Sequence, residues 1–499
     1  MKRRVTFITP PGKEIPDDAL RLTKGGLEVK NLRAIREEQF TFAFEDLPQF
    51  VRDIVRQTHE LHIHFDSGKD HASGWKGPFP SRLPLGVHIF AAPLGQSKMG
   101  NLCSFLSKYA NTPCDSIENS FTQYGRSRQF YTPDPAVLSA ILRTLGNKVC
   151  ESTKRGCKED MLQLQTASSV DIKYNATSQE LDVHALWGSY SSGNTKEKAW
   201  DISVVPQTPS SRVEVGVFSR GDPVEAEEIS LHGKIAVVGD DEELKPALFS
   251  ISSRHHSTGA NIYTADFQQP PGLHPKLETT IALGGASPAD ECTLNAYFTV
   301  PQPFFVDPYQ LEDAKLMKSY GISNVRVVEG ETDLEAPVWA VTKWGAVVVA
   351  ELDTQDYFEN RVKDRLPMEF TLPLHLRYLP SHPEKTNQTA TLPWPTVFWA
   401  CRAESGDKMA TNPFDRKMLG YEEYFPEQTY FYHITPKLFN RTLSTSSLEV
   451  PILNSRYSQA IEWGTIGVVV IGFAWVLAKV VLSLLGSGSK QAGGHEKKE

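Results

Sequence analysis

Cysteine is scarce in this 499-residue sequence, which holds six cysteines and no CxxC pair. That spacing supplies ligand pairs in many zinc sites, so its absence argues against a zinc-finger framework. Six cysteines in so long a chain are also too few for a disulfide-rich scaffold. They can form disulfides in an oxidising compartment or remain free buried thiols in a reducing one. For the oxidised case we predict the pairs Cys103–Cys114, Cys150–Cys157 and Cys292–Cys401.

The sequence also lacks an excess of positive charge and the common catalytic motifs. The formal net charge of -8 gives no indication of nucleic-acid binding, which favours a basic surface. No GxSxG, HExxH, P-loop or GxGxxG motif occurs. His62 and His64 share one face of a predicted strand, as metal ligands can, but no third ligand stands nearby at metal spacing. We therefore predict no catalytic residue, no cofactor and no metal site.

Long apolar runs are missing except for one, which extends from Gly464 to Leu485. Roughly 20 apolar residues cross the hydrocarbon core of a bilayer as a helix. Lys479 lies near the end of the run and can extend its ammonium group to the membrane interface. A buried core helix is the alternative, while a GPI-attachment signal is disfavoured because lysines follow the run. We predict one transmembrane helix at 464–485 and a short disordered cytoplasmic tail at 486–499.

The charges flanking this helix favour a cytoplasmic C-terminus, because positive residues concentrate after it. The large N-terminal region then faces a lumen or the outside. However, the opening residues MKRRVTFITPPGKEIP contain no apolar stretch of signal-peptide length. A tail-anchored protein with a cytosolic N-terminal region is therefore the alternative. N-linked glycans would show that the N-terminal region is luminal and not cytosolic. Acceptor sequons occur at Asn175, Asn387 and Asn440.

Small residues form a narrow stripe along the predicted membrane helix. At about 100° per residue, Gly467, Ala474 and Ala478 fall within roughly 20° of one line. Small side chains let a second helix approach closely in lipid. Chance composition is the alternative, because glycine and alanine are frequent in such helices. We predict that this stripe is a packing face against another membrane protein.

The remaining chain consists of short apolar runs bounded by proline, glycine or aspartate, which predicts a mainly β fold. We predict an N-terminal β-rich domain over 1–245, with α+β character, and a β-sandwich-like domain over 250–455. The stretch GDDEELKPALFS is predicted to be a linker or surface loop, and His255 and His256 are predicted to lie in a loop. PAVLSAILRTLGNKV has helical spacing.

Several motifs in the second half resemble the PIG-X family. They are GLHPKLET (272–279), LPLHLRYLPSH (372–382), LPWPTVFWAC (392–401) and NPFDRKMLGYEEYFPEQTYFYHITP (412–436), followed by one membrane helix. With the upstream RVTFITP and AWDISVVPQTPSSRVEV, the whole chain is similar to the long fungal form of that family. The most specific element is the run of His375, Arg377, Tyr378 and Pro380. On a strand, His375 and Arg377 share a face and Tyr378 points away, so the run ties strands together or contacts a partner.

The resemblance implies a glycosylated protein of the endoplasmic-reticulum membrane with a luminal N-terminal region. It further implies a non-catalytic, stabilising subunit of GPI mannosyltransferase I, whose catalytic subunit is a separate multi-spanning protein. That complex adds the first mannose to the GPI-anchor precursor. A luminal chaperone acting on several clients, including proteases, is the alternative. A glycan-active luminal enzyme would need a carboxylate pair in a cleft, and a tail-anchored cytosolic adaptor would carry no glycans.

Overall fold

The computed structural model describes residues 1–10, 12–23, 25–68, 82–149, 162–188, 199–206, 212–221, 228–285, 287–355, 357–361, 366–403, 412, 414, 419–439 and 441–487. Cys150, Cys157, Asn440 and the tail from residue 488 lie outside this part of the chain.

Strands dominate the described residues, which confirms the predicted mainly β class. In chain order they are β1 Lys2–Thr9, β2 Leu20–Thr23, β3 Gly26–Leu32, β4 Ile35–Ala43, β5 Thr58–Asp66, β6 Gly86–Pro93, β7 Thr122–Tyr124, β8 Ser127–Thr132, β9 Ser169–Asn175, β10 Glu180–Trp187, β11 Trp200–Val204, β12 Arg212–Gly221, β13 Glu228–Val237, β14 Lys245–Ser252, β15 His255–Phe267, β16 Lys276–Ala282, β17 Cys292–Pro301, β18 Phe304–Phe305, β19 Ile322–Gly330, β20 Gly345–Leu352, β21 Met368–Pro373, β22 His375–Leu376, β23 Asn387–Pro393, β24 Thr396–Arg402, β25 Thr429–Pro436 and β26 Thr445–Pro451. The α-helices are α1 Gln49–Val55, α2 Gly100–Tyr109, α3 Ile117–Ser120, α4 Ala136–Val149, α5 Pro308–Glu312, α6 Ala314–Ser319 and α7 Ser458–Ser487.

Two large sheets contain most of these strands. Sheet A has eleven strands in the order β14-β13-β12-β1-β4-β10-β9-β5-β6-β8-β7. Sheet B has eight strands in the order β19-β20-β17-β24-β25-β15-β16-β21. Neighbours are antiparallel except for β1 with β12 and β15 with β25. Smaller sheets join β11-β3-β2, β18-β22 and β23-β26.

Sheet A covers its two faces with different partners, as the alternation along β5 illustrates. Leu61, Ile63 and Phe65 project to one face and share a core with α1, α2 and α4. His62 and His64 project to the other face, because successive side chains of a strand point to opposite sides. Helix α4 lies where its apolar spacing predicted it. The helices therefore occupy one face of sheet A and leave the histidine face for other contacts.

The two halves of the chain share one core. Buried side chains of sheet B, including Phe398 and Phe431, belong to the same cluster as those of sheet A. Gln129 Nε2 donates to the Tyr297 hydroxyl at 2.6 Å, and Trp344 Nε1 donates to the Gln129 carbonyl at 2.8 Å. Residues 1–377 and 391–448 consequently form one compact unit.

A second, smaller unit comprises residues 378–390 and the chain from residue 449 onward. Within it, Ile452 N donates to the Thr386 carbonyl at 2.8 Å. Arg456 pairs with Glu384 at 3.3 Å on the surface. These contacts attach the segment before α7 to residues 378–390 of the same unit.

The linker or surface loop predicted at GDDEELKPALFS (239–250) is wrong for the second half of that stretch, because Lys245–Ser252 forms strand β14. It pairs with β13 along its whole length. In the sequence, Pro246 argued against a strand, because proline cannot donate a backbone hydrogen bond. Proline is nevertheless tolerated on an edge strand, where one side of the backbone needs no partner. The chain passes from sheet A to sheet B between Ser252 and His255.

Two of the expected cysteine pairs are disulfides in the structure. Cys103 in α2 is bonded to Cys114, 11 residues further along. Cys292 and Cys401 lie directly opposite each other on β17 and β24 and are bonded across 109 residues. The second bond therefore joins strands that are distant in sequence.

Candidate functional site

The strongest sequence motif begins in the short strand β22, which pairs with β18. The His375 ring stacks on Phe305 with centroids 5.0 Å apart. His375 Nδ1 lies 2.9 Å from His274 Nδ1, so one ring donates and the other accepts. Burial lowers the pKa of His375, and neighbouring His274 lowers it further. His375 is therefore neutral at pH 7 and serves as a packing and hydrogen-bonding side chain.

Arg377 fastens a neighbouring loop to this strand pair. Its Nη1 donates to the carbonyls of Asp333 at 2.5 Å and Ala336 at 2.8 Å. Its guanidinium lies 4.4 Å from the centroid of the Phe305 ring, and the side chain is only 3% exposed. Like His375, Arg377 thus contacts Phe305.

The other motif residues are presented to solvent. Tyr378 is 75% exposed, and Pro380 is also exposed. The motif therefore divides into an inward half, His375 and Arg377, which orders the local structure, and an outward half. Of the two side chains, Tyr378 offers both a large aromatic surface and a hydroxyl to a partner.

The motif at 412–436 contributes to a buried polar network. His255 Nδ1 lies 3.0 Å from His433 Nε2, and His255 Nε2 lies 3.2 Å from Glu422 Oε1. Arg254 Nη1 donates to the other Glu422 oxygen at 3.2 Å. The loop prediction for His255 and His256 is wrong, since both begin strand β15. Sequence spacing missed the network because β15 meets β25 in a parallel pair across more than 170 residues.

Electrostatics in this network favour a partly buried ion pair between Arg254 and Glu422 over a titrating group. Burial raises the pKa of the Glu422 carboxyl, but His255 and Arg254 outweigh burial and leave it lowered. Burial, with His255 adding to it, lowers the pKa of His433 well below its usual value. Glu422 is thus ionised and His433 neutral at pH 7. This arrangement holds β15 and β25 together around a satisfied charge.

The sequons differ in accessibility. Asn387 is exposed at the start of β23. Asn175 is half-buried, and its Nδ2 donates to Glu60 Oε1 at 3.0 Å. A glycan at Asn175 would break this contact, so Asn387 is the better acceptor of the two described sequons.

Helix α7 includes the predicted transmembrane run. The helix extends over Ser455–Leu485 and contains an 18-residue stretch of mean hydropathy 2.5 in which no residue is buried within the structure. It is long and apolar enough to cross a membrane. A Cβ added at Gly464, Gly467 or Gly472 would meet no atom within 4 Å. Lys479 Nζ lies 4.8 Å from the Trp475 ring centroid, one helical turn away. The helix surface, including the small-residue stripe, is open to lipid or to another helix.

Two of the cavities on the large unit bear on the alternative functions. A polar cavity of about 580 Å³ is lined in part by Glu278, Asp353 and Glu369, with Lys318 supplying the opposite charge. A largely apolar cavity of about 440 Å³ lies along β12–β14 and is lined in part by Phe218, Ile235, Phe249, Ile251 and Phe414. The first bears on the glycan-active alternative, and the second on the chaperone alternative.

Known proteins resemble this chain over nearly its whole length. A family model described as PIG-X / PBN1 matches residues 270–481. Protein pbn1 of Emericella nidulans is 37% identical over 521 residues, covering 98% of this chain and 97% of the relative. Protein pbn1 of Aspergillus fumigatus is 35% identical and covers 100% of both chains. Protein pbn1 of Neurospora crassa is 33% identical, covering 98% of this chain and 96% of the relative.

Proposed function

Because the chain belongs to the PIG-X / PBN1 family, we propose that it is a non-catalytic, stabilising subunit of GPI mannosyltransferase I. In this proposal it resides in the endoplasmic-reticulum membrane and supports addition of the first mannose to the GPI-anchor precursor. A separate multi-spanning protein performs the catalysis. The observation that carries the proposal, beyond family membership, is the one long apolar helix found in the described part of the chain, whose apolar stretch contains no buried residue.

The exposed helix can bind the partner by packing against one of its membrane helices. Between helices in lipid, association depends on close packing, since the acyl chains are as apolar as the side chains. Gly467, Ala474 and Ala478 offer a flat stripe where a partner helix can approach. We propose that this stripe contacts a membrane helix of the catalytic subunit.

Disulfides and sequons support a luminal N-terminal region. Disulfides persist in the endoplasmic-reticulum lumen but are rare in the cytosol. The structure contains the Cys103–Cys114 and Cys292–Cys401 bonds. The positively charged C-terminal flank of the helix favours the same orientation.

The experiment that tests this proposal measures GPI precursors in cells depleted of the protein. Cells are labelled with inositol, and the lipids are separated. Accumulation of the glucosaminyl-acyl-phosphatidylinositol species without mannose is the expected result. Mannosylated precursors made at the normal rate would refute the subunit proposal.

A matched set of helix variants tests the packing stripe. Leucine at Gly467, Ala474 and Ala478 together should lower co-purification of the catalytic subunit, because three bulky side chains prevent close approach. Val469→Leu, on the opposite side of the helix, is the control. Equal recovery of the partner with both proteins would remove the stripe from the proposal.

A luminal chaperone is the second candidate, and the apolar cavity beside β14 favours it. β14 is the terminal strand of sheet A among the described residues, and Leu248 on it is strongly exposed. Such an edge can pair with an extended client segment. Photocrosslinking from exposed position 250, on the same face of β14 as Leu248, would then capture several unrelated secreted proteins. Leu248→Lys would abolish their capture while leaving mannosylation intact.

A carboxylate in the polar cavity allows the non-catalytic proposal to be distinguished from the glycan-active alternative by experiment. If Asp353 were part of a carboxylate pair, Asp353→Asn would stop turnover. As a non-catalytic subunit, the Asp353→Asn protein should restore the first mannosylation fully in depleted cells. Failure of this folded variant to restore it would favour the enzymatic alternative.

A further inference from the structure

Neighbouring strands of sheet A bring two histidines and an aspartate together. In the antiparallel register of β5 and β9, Asp171 lies directly opposite His64. His62 lies two residues away on β5, so all three side chains project from the same face. His62 Nε2 and His64 Nδ1 each lie 2.7 Å from Asp171 Oδ1. The three ligand atoms lie within 4.8 Å of one another.

This cluster is buried and distinct from the features used above. His62 and Asp171 are 0% exposed and His64 is 3% exposed. Over the described ranges, no other trio of histidine, cysteine or acidic side chains brings its ligand atoms so close. A buried carboxylate needs compensation by a cation or by several hydrogen bonds.

We propose that His62, His64 and Asp171 form a binding site for a divalent transition metal, most suitably zinc. Two imidazole nitrogens and one carboxylate oxygen are a donor set that zinc accepts, with a water in the fourth position. Magnesium and calcium prefer sites made of oxygen alone, so the two histidines select against them. The ion fastens β5 to β9 on the face of sheet A that lies away from the helices.

The geometry requires only a small rearrangement. Tetrahedral zinc holds its nitrogen and oxygen ligands about 2.0–2.2 Å away, which separates any two donors by roughly 3.4 Å. Each nitrogen would therefore move about 0.7 Å from its present hydrogen-bonded distance to Asp171 Oδ1. The proton on each coordinating nitrogen moves to the other nitrogen of the same ring, and both imidazoles stay neutral. No net proton is released from the two rings.

A neighbouring histidine supplies a second observation. His64 Nε2 and His88 Nδ1 are both buried, and neither has a hydrogen-bond partner among the described residues. His88 Nε2 contacts the Pro84 carbonyl at 2.7 Å, so its Nδ1 is an acceptor. Metal binding at His64 Nδ1 would make Nε2 a donor. His64 Nε2 could then donate to His88 Nδ1, either through a bridging water or after a small rotation of the rings, whose centroids are 6.2 Å apart.

The test uses the full-length protein in detergent, purified without an oligohistidine tag or a chelator. Metal content is measured by mass spectrometry, and cobalt is then exchanged into the site. We expect about one zinc per chain and the visible absorption of tetrahedral cobalt. Chelation should lower the unfolding temperature, and zinc should restore it. Wild-type protein with no bound zinc, no cobalt absorption and no thermal response would overturn the proposal and leave a hydrogen-bonded triad.

Variants locate the ion. Asp171→Asn and His64→Gln should each lower zinc affinity at least about tenfold. His255→Gln is the matched control, since it disrupts another buried histidine–carboxylate contact outside the cluster. It should lose stability but keep its zinc. Equal zinc affinity in the control and in folded Asp171→Asn would place the metal elsewhere and refute the site. The cobalt spectrum of the wild-type protein remains decisive if both site variants fail to fold.

Discussion

Removing the Cys292–Cys401 disulfide should destabilise the large unit much more than removing Cys103–Cys114. Each pair is replaced by two alanines, so both perturbations delete the same atoms. The two loops do not overlap in sequence, because one lies between residues 103 and 114 and the other between residues 292 and 401. The first closes 11 residues and the second closes 109. Each bond therefore restricts a different part of the unfolded chain.

Loop length sets the expected magnitudes. The entropy removed from the unfolded chain grows with the logarithm of the closed loop, which gives about 2.8 kcal/mol for the short loop and about 4.8 kcal/mol for the long one. We expect a difference of about 2 kcal/mol in the free energy of unfolding. The double alanine variant at 292 and 401 should also have the larger denaturant slope, because its unfolded chain expands more.

Guanidinium unfolding of the purified protein, followed by tryptophan fluorescence, measures both quantities. The comparison must be made without reductant, so that the remaining disulfides stay intact. Reduced wild-type protein should unfold more easily than either variant. If the pair at 103 and 114 proves equally or more stabilising, the loop-entropy reasoning fails, and native-state packing around the cysteines determines the ranking.

The remaining predictions concern the motif, the sequons and pH. Arg377→Ala should lower the free energy of unfolding by about 3 kcal/mol, since two partly buried hydrogen bonds to backbone carbonyls lose their charged donor. Tyr378→Ala should change it by less than about 0.5 kcal/mol. If the Tyr378 variant folds normally but loses the catalytic subunit, the tyrosine is a partner contact, and normal partner levels would remove it from the interface. Asn387→Gln should reduce the glycosidase-sensitive gel shift more than Asn175→Gln does; the reverse order would contradict the accessibility argument. Burial lowers the pKa of His256 from 6.5 to about 4, so the unfolded chain binds a proton at this residue at a higher pH than the folded protein does. Up to about 3 kcal/mol of stability present above pH 6.5 is therefore lost as the pH falls toward 4. His256→Gln should make the free energy of unfolding less dependent on pH in this range, and an unchanged dependence would exclude His256 as its source.

Local patterns were sufficient to predict much of the secondary structure. Helix α4 and strands such as β5 and β17 coincide with apolar runs whose periodicity is clear. Strand β14 was missed because its proline and charged neighbours look like a loop, whereas pairing with β13 stabilises it. Propensity is a weak prior when a neighbouring strand provides the hydrogen bonds.

The same limit applies to the side-chain clusters. Alternation along one strand predicted that His375 and Arg377 share a face, and both side chains contact Phe305. Asp171 could not be assigned to His62 and His64, because the register that joins them spans more than 100 residues. Strand pairing of this kind depends on the global topology, which no local spacing reveals.

The position of β1 has a consequence for the order of synthesis. It lies inside sheet A between β4 and β12, with Lys2 in register with Arg212. At about 5–20 residues per second, the ribosome needs roughly 10–40 s to deliver the second of these neighbours. One edge of β1 must therefore wait unpaired while the residues up to β12 are synthesised. During that interval, holdase chaperones can bind the unpaired edge of β1, and the edge can also associate wrongly. The interval ends when β12 is available, which is before helix α7 has been translated.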